Sequence, residues 1–207
     1  MNGEPFGPGV FIPVIGPSGA GKDSLIARAR QHLDSRPGFL FARRVVTRPA
    51  SLEAEDHDTL DTASFAKAEA AGAFALAWRS HGLSYGIPAS IDKTILDGGV
   101  VVANVSRGVV AVIRRRYRNT LPVMVTVSRD VLAARLATRG RETADEIASR
   151  IRRNDEYGTL GADCRVIDNS GTLDEAAARF IRILEAARDR DLLVRGGKRD
   201  REAGAPA

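Results

Sequence analysis

The chain has 207 residues, 43% of them hydrophobic and 28% charged, a balance that excludes wholesale disorder and lets one domain fold without disulfide or metal staples. Basic residues outnumber acidic ones 31 to 26, and only four of the 31 are lysine, so the surplus is arginine, whose planar guanidinium suits phosphate. Cys164 is the only cysteine, which excludes an internal disulfide and fits a reducing cytoplasm, and no apolar run nears the roughly 20 residues of a membrane span.

Residues 1–9 lack the layout of a signal peptide and predict a flexible start. Val10–Ile15 is a short, continuous apolar run, the pattern of a strand buried on both faces. It runs directly into Gly16-Pro17-Ser18-Gly19-Ala20-Gly21-Lys22-Asp23-Ser24, followed by an amphipathic helix to Leu33. Gly16, four residues, Gly21 and Lys22 is the spacing of a phosphate loop, in the strand–loop–helix setting such a loop needs. The glycines let backbone N–H groups converge on phosphate oxygens, the helix start adds about half a positive charge, and Lys22 adds a full one. Residues 16–24 are therefore the expected nucleoside-triphosphate site. Such loops usually follow the lysine with a Ser or Thr that ligates Mg²⁺, whereas here Asp23 follows and Ser24 comes next. A carboxylate beside a triphosphate is tolerable when a cation lies between them, so Asp23 is the expected Mg²⁺ ligand and Ser24 the alternative.

Residues 43–86 break the rhythm of strands and helices and predict an inserted subdomain. Beyond it, Pro88–Leu96 reads as a helix, Gly99–Val105 as a strand, Val109–Arg118 as a helix and Pro122–Val127 as a strand. Helical patterns follow at Arg129–Thr138 and Ala144–Tyr157, then a weaker strand at Cys164–Ile167 and a helix at Leu173–Asp191. Residues 195–207 predict a flexible tail. The alternation argues for an α/β fold, a parallel sheet flanked by helices, with its chemistry at the carboxyl ends of the strands. The arginine cluster at Arg114–Arg118 sits in a helix pattern and reads as a solvated helix face, so no nucleic-acid partner is expected.

The loop resembles that of the guanylate kinase family, and other landmarks follow in family order: Thr47-Arg48, His81-Gly82 with Tyr85-Gly86, Arg135 to Glu142, Glu146-Ile147 and Arg150-Ile151. The resemblance implies a nucleoside-monophosphate-kinase-like P-loop fold over residues 10–194, with an acceptor subdomain at about 43–86 and a lid at about 138–154. The guanine-reading positions do not match: Pro49 to His57 lacks the family pattern, Arg79 stands where a base-reading glutamate is expected, and Asn104-Val-Ser106-Arg107 replaces an Asp-containing strand end. A site that loses such a hydrogen bond discriminates strongly, so GMP is not the expected acceptor.

These departures, with Gly-Lys-Asp-Ser, Glu55-x-His57, Trp78 ahead of His81, and Arg139-Gly-Arg-Glu142, resemble the ribose 1,5-bisphosphate phosphokinases of phosphonate breakdown. That family implies transfer of a phosphoryl group from ATP to ribose 1,5-bisphosphate with Mg²⁺. It implies Lys22, Arg135, Arg139 and Arg150 as catalytic cations, and Arg48, His57, His81, Tyr85, Ser106 and Arg107 as acceptor contacts. The readings that remain beside it are a guanylate kinase and a non-catalytic guanylate-kinase-like binding module. Oligomeric state is left open, a homodimer included.

Overall fold

In the computed structural model residues 6–48, 57–80, 82–139, 161 and 163–202 are described, with backbone alone for 138, 139 and 190–202. The apolar run near the start becomes the central strand β1 (Phe6–Ile15), and the helix after the glycine-rich turn is α1 (Lys22–Leu33). A three-residue strand, β2 (Phe39–Phe41), leads into β3 (Arg44–Val46), β4 (His57–Thr59), α2 (Thr62–Ala70), β5 (Phe74–Ser80) and β6 (Leu83–Pro88). Then come α3 (Ile91–Leu96), β7 (Val100–Asn104), a single 3-10 turn at Arg107–Val109, and α4 (Val110–Arg116). The remainder is β8 (Tyr117–Thr120), β9 (Val123–Thr126), α5 (Arg129–Arg139), β10 (Arg165–Asp168) and α6 (Leu173–Glu202).

One sheet runs in the order β10-β9-β1-β7-β2, with β8 also pairing β1, and each of its pairings is parallel. Strands buried on both faces should be apolar at every position, and β7 is buried throughout. Alternate residues of β1 and β7 feed two cores. Ile12, Val14, Val100 and Val102 pack under α1 and α6, while Phe11, Ile15, Val101 and Ala103 pack under α3 and α4. At roughly 1.5–3 kcal/mol for each large apolar side chain buried, these layers hold the strand ends in place. No described helix is long and apolar enough to cross a membrane.

The second sheet, β4-β3-β6-β5, is built from the segment where the βα rhythm breaks, and it mixes one parallel with two antiparallel pairings. Its helix α2 is capped by Asp61, which accepts from the Ser64 backbone N–H at 2.9 Å and the Ser64 hydroxyl at 2.6 Å.

Three sequence expectations change. The strand at the start begins at Phe6 rather than Val10, because Phe6 sets its ring edge-on to Tyr117, centroids 6.2 Å apart. The helix expected to reach Arg118 stops at Arg116: Tyr117 is 1% exposed, stacks on Phe11 at 5.0 Å and starts a strand beside β1. Its hydroxyl donates to Asp92 at 2.7 Å, and burial first, then that carboxylate, pushes the phenol well above its ordinary range. Helix α6 also runs past Asp191, into the segment expected to be a flexible tail. The helix expected at 144–157 lies outside the described residues.

Candidate active site

The phosphate loop leaves β1 at Ile15 and closes at the first turn of α1. Gly16, Gly19 and Gly21 have φ of 143°, 89° and 85°, a region that side chains rarely adopt. Space is restricted as well. A Cβ on Gly16 would lie 2.3 Å from the Val125 carbonyl oxygen, and one on Gly21 would lie 2.5 Å from Asn169 Nδ2. The first α1 bond is Leu25 N–H to Gly21 O at 3.0 Å, so the amides of residues 22–24 have no intrahelical acceptor. Gly21 is the N-cap and supplies no side-chain cap. Lys22 curls back over the loop, its Nζ donating to Gly16 O and Pro17 O, each at 2.8 Å. Open amides, a helix start and an ammonium group on one concave turn form a cradle for an anion of phosphate type.

Asp23 faces the neighbouring strands. Its Oδ1 accepts from Asn104 Nδ2 at 2.6 Å and lies 3.5 Å from Arg44 Nη2, while its Oδ2 has no partner among the described residues. Ser24 is exposed and shares a helix face with Arg28, which pairs with Asp174 of α6 at 2.5 Å. The two metal candidates therefore part: Asp23 looks across the loop to β7 and β3, and Ser24 looks to solvent. No cluster of three or more His, Cys, Asp or Glu occurs among the described residues. Mg²⁺ can be held through one carboxylate with substrate phosphates and water, and of these two residues Asp23, through Oδ2, is the one that could serve.

Arg135, on α5, donates from Nη2 to the Asn169 carbonyl at 2.9 Å, and its Nη1 lies 3.7 Å from the point where a Gly21 Cβ would stand. Asn169, at the carboxyl end of β10 and 2% exposed, donates from Nδ2 to Ala20 O at 2.7 Å. Thus Asn169 clips the loop and Arg135 together. Arg139 has its backbone at the end of α5, whereas Arg150, and the lid expected at 138–154 beyond Arg139, lie outside the described residues.

On the acceptor side, Trp78 and Tyr85 are cross-strand partners on β5 and β6, stacked at 5.3 Å with their planes 9° apart. Trp78 Nε1 donates to Ser106 Oγ at 2.9 Å, tying the second sheet to the carboxyl end of β7. An indole N–H only donates, so the Ser106 oxygen is occupied as acceptor and its proton is left to donate. The Tyr85 hydroxyl has no hydrogen bond among the described residues. Arg48 follows β3 and is partly buried, and Arg107 starts the 3-10 turn beside Ser106. His57 is 9% exposed at the start of β4, opposite Arg44, a buried rather than an open position. His81 lies outside the described residues.

Arg79 corrects an expectation. It points to the outer face of the second sheet, where it pairs with Glu69 of α2 at 2.5 Å and lies over Phe65. Arg79 is therefore held on the α2 side of this sheet rather than beside Trp78 and Tyr85. Two arginines of the cluster are held by carboxylates: Arg114 pairs with Asp163 and Arg116 with Asp92. Burial raises the Cys164 thiol above its usual range, so it is no ready nucleophile.

Sequence reasoning missed Arg44, Asn104, Trp78 and Asn169 as site residues. Two carried a signal: Asn104 and Asn169 are polar residues closing strands at their carboxyl ends, where α/β folds place ligands.

A parallel sheet with an intact phosphate loop, a carboxylate beside its lysine and Arg135 held against the loop defines a P-loop phosphotransferase of the nucleoside-monophosphate-kinase type. In fold the chain is similar to guanylate kinase from Anaplasma phagocytophilum, with a TM-score of 0.61 and 19% identity over 88% of each chain. A sugar kinase from Janibacter gives a TM-score of 0.51 at 15% identity, covering 88% of this chain and 98% of that one. At these identities the likeness is one of fold. In sequence it is 51% identical over 185 residues, 88% of each chain, to "Ribose 1,5-bisphosphate phosphokinase PhnN" of Chelativorans. It is 46% identical to the protein of that name from Brucella melitensis, over 84% of this chain and 90% of that one. A protein of the same name from Methylobacterium radiotolerans is 45% identical over 86% and 99%. No protein-family model matches. The chain belongs to the ribose 1,5-bisphosphate phosphokinase family, and it is a kinase.

Proposed function

We propose that the chain transfers the γ-phosphoryl group of ATP to the 1-phosphate of ribose 1,5-bisphosphate, giving 5-phosphoribosyl 1-diphosphate and ADP. The observation that carries this reading is 51% identity across 88% of both chains to a relative bearing that activity in its name, with every loop glycine and Lys22 kept. A bond forms between an oxygen of the 1-phosphate and the γ-phosphorus, and the bond from the γ-phosphorus to the β–γ bridging oxygen breaks. The acceptor oxygen is already anionic near neutral pH, so no general base is required. Alignment and charge neutralisation then supply the catalysis.

In this reading the amides of the loop and Lys22 bind the β- and γ-phosphates. Arg135, fixed to Asn169 beside the loop, meets the transferred group, with Arg139 and Arg150 completing the clamp. Asp23 would hold Mg²⁺, which would supply neutralisation of the phosphate charge of ATP. Arg48, Arg107, Ser106 and Tyr85 receive the phosphates and hydroxyls of the ribose, with His57 and His81 as further contacts. The position of Trp78 supports Ser106 in this role: by occupying the serine oxygen it directs the hydroxyl proton outward. Trp78→Phe removes the N–H and keeps a smaller aromatic ring against Tyr85. The KM for the ribose acceptor should rise about three- to tenfold, as one net hydrogen bond is worth about 1 kcal/mol. The KM for ATP should stay level, and an equal rise in both constants would mean a general packing defect instead.

The direct test is phosphorus NMR of the products from ATP with ribose 1,5-bisphosphate, run in parallel with GMP. A new diphosphate doublet with equimolar ADP is expected from the ribose substrate and little from GMP. Equal or faster turnover of GMP would overturn the assignment.

A further inference from the structure

Most arginines with described side chains are spoken for. Arg28, Arg36, Arg43, Arg44, Arg79, Arg114 and Arg116 pair with carboxylates, and others donate to backbone carbonyls. Among the described residues only Arg115, Arg165, Arg179 and Arg182 have side chains with no hydrogen bond or ion pair, and three of these four line one cleft. The cleft is about 300 Å³, with Leu121, Ile183, Ala186 and Ala187 as its apolar part.

Its place in the fold separates it from the phosphate loop. Arg165 opens β10 and lies opposite Val123 at the start of β9, so the cleft sits toward the amino ends of the strands, between the sheet edge and α6. Asn169, which holds the loop, is four residues further along, roughly 13 Å at strand rise. Arg179 and Arg182 are three apart on α6, neighbours on one helix face, where like charges disfavour the helix by a few tenths of a kcal/mol. The carboxylates of Asp168 and Glu175 lie within electrostatic reach of Arg179 and are also hydrogen-bonded to neutral donors. Asp168 accepts from the Ser170 backbone N–H and hydroxyl, and Glu175 accepts from the Thr172 hydroxyl. Arg165 and Arg182 thus share a pocket-sized concavity with no ion pair or hydrogen bond of their own among the described residues, and Arg179, its charge offset in part by those two carboxylates, adds a third guanidinium.

We propose that this cleft is a second anion site, for a small organic phosphate of two or more negative charges whose uncharged part rests on the apolar wall. Guanidinium groups hold phosphate oxygens in paired, charge-assisted bonds, and 300 Å³ is the lower end of the range for small-molecule pockets. The inference does not depend on which acceptor the kinase uses.

Calorimetric titration of the full chain with inorganic pyrophosphate tests it. Two binding processes are expected in the unmodified protein. The double variant Arg165→Gln/Arg182→Gln should lose one of them by about tenfold or more and keep the other, with kinase turnover within twofold. Lys22→Ala should do the reverse. The single variant Arg182→Gln, at an exposed position, guards against misfolding: it should melt as the unmodified protein does and still weaken the second process. One binding process in the unmodified protein, or two that the arginine variants leave unchanged, would overturn the proposal. So would a dimer that the same variants dissociate, because the face would then be a subunit interface.

Discussion

Lys22→Ala is expected to lower kcat/KM for ATP by on the order of 100- to 1000-fold while moving the melting temperature little. The ammonium group sits 2.8 Å from the carbonyls of Gly16 and Pro17, so it already lies over the loop whose amides form the cradle. A full charge held there needs no rearrangement when phosphate charge develops, which is where preorganised groups contribute most. Its two bonds to carbonyls are partly buried, and each adds about 1 kcal/mol net at most to folding. Activity should therefore fall far more than stability. Steady-state kinetics and a thermal melt on the same sample separate the two, and activity within threefold of the unmodified enzyme would mean that the loop is not where the phosphates bind. Lys22→Arg should rescue little, because a planar fork cannot curl onto the same two carbonyls as a compact ammonium does.

The loop was legible because its chemistry is local. Gly16, Gly21 and Lys22 work through backbone conformation and one side chain, all within a few residues of a strand whose continuous apolar run marks it as central. Strands β7, β9 and β10 were legible for the same reason, with ends displaced by a residue, whereas β1 begins four residues before its apolar run and β2 and β8 were not read as strands. What escaped depends on contacts between distant parts of the chain. Asn104 and Asp23 are 81 positions apart, and Trp78 and Ser106 are 28 apart. No periodicity encodes either pair. Arg79 shows the opposite failure: its place in the chain suggested the acceptor site, but strand pleat turns it outward, and Glu69 of a helix formed ten residues earlier holds it there. In the same way Tyr117 ends a helix whose pattern could have continued, because a buried aromatic beside Phe11 outweighs one more turn of arginines. Side-chain direction is set by tertiary packing, and that is where residue-by-residue reading stops.

Asp23→Asn is expected to change ATP binding in opposite senses with and without Mg²⁺. Two like unit charges 4 Å apart repel by about 1 kcal/mol in water and about 4 kcal/mol at an effective dielectric of 20. A bare carboxylate next to the lysine of a phosphate loop therefore weakens metal-free ATP. Neutralising it should tighten metal-free ATP by about threefold or more. With Mg²⁺ the sign reverses: the carboxylate oxygen that fits the metal is lost, and Mg²⁺–ATP should bind about tenfold more weakly, with the Mg²⁺ concentration for half-maximal activity rising in step. Asparagine keeps an oxygen for Asn104 Nδ2, so the bond to the end of β7 survives and packing is not the variable. Asn104→Ala supplies the control, since it frees Asp23 Oδ1 without removing charge and should shift both affinities the same way. Calorimetry of ATP with EDTA and with excess Mg²⁺ reads the crossing directly. If Asp23→Asn moved both affinities in one direction, Asp23 would be a structural partner of Asn104 and Arg44 and the metal would have to be held by other groups.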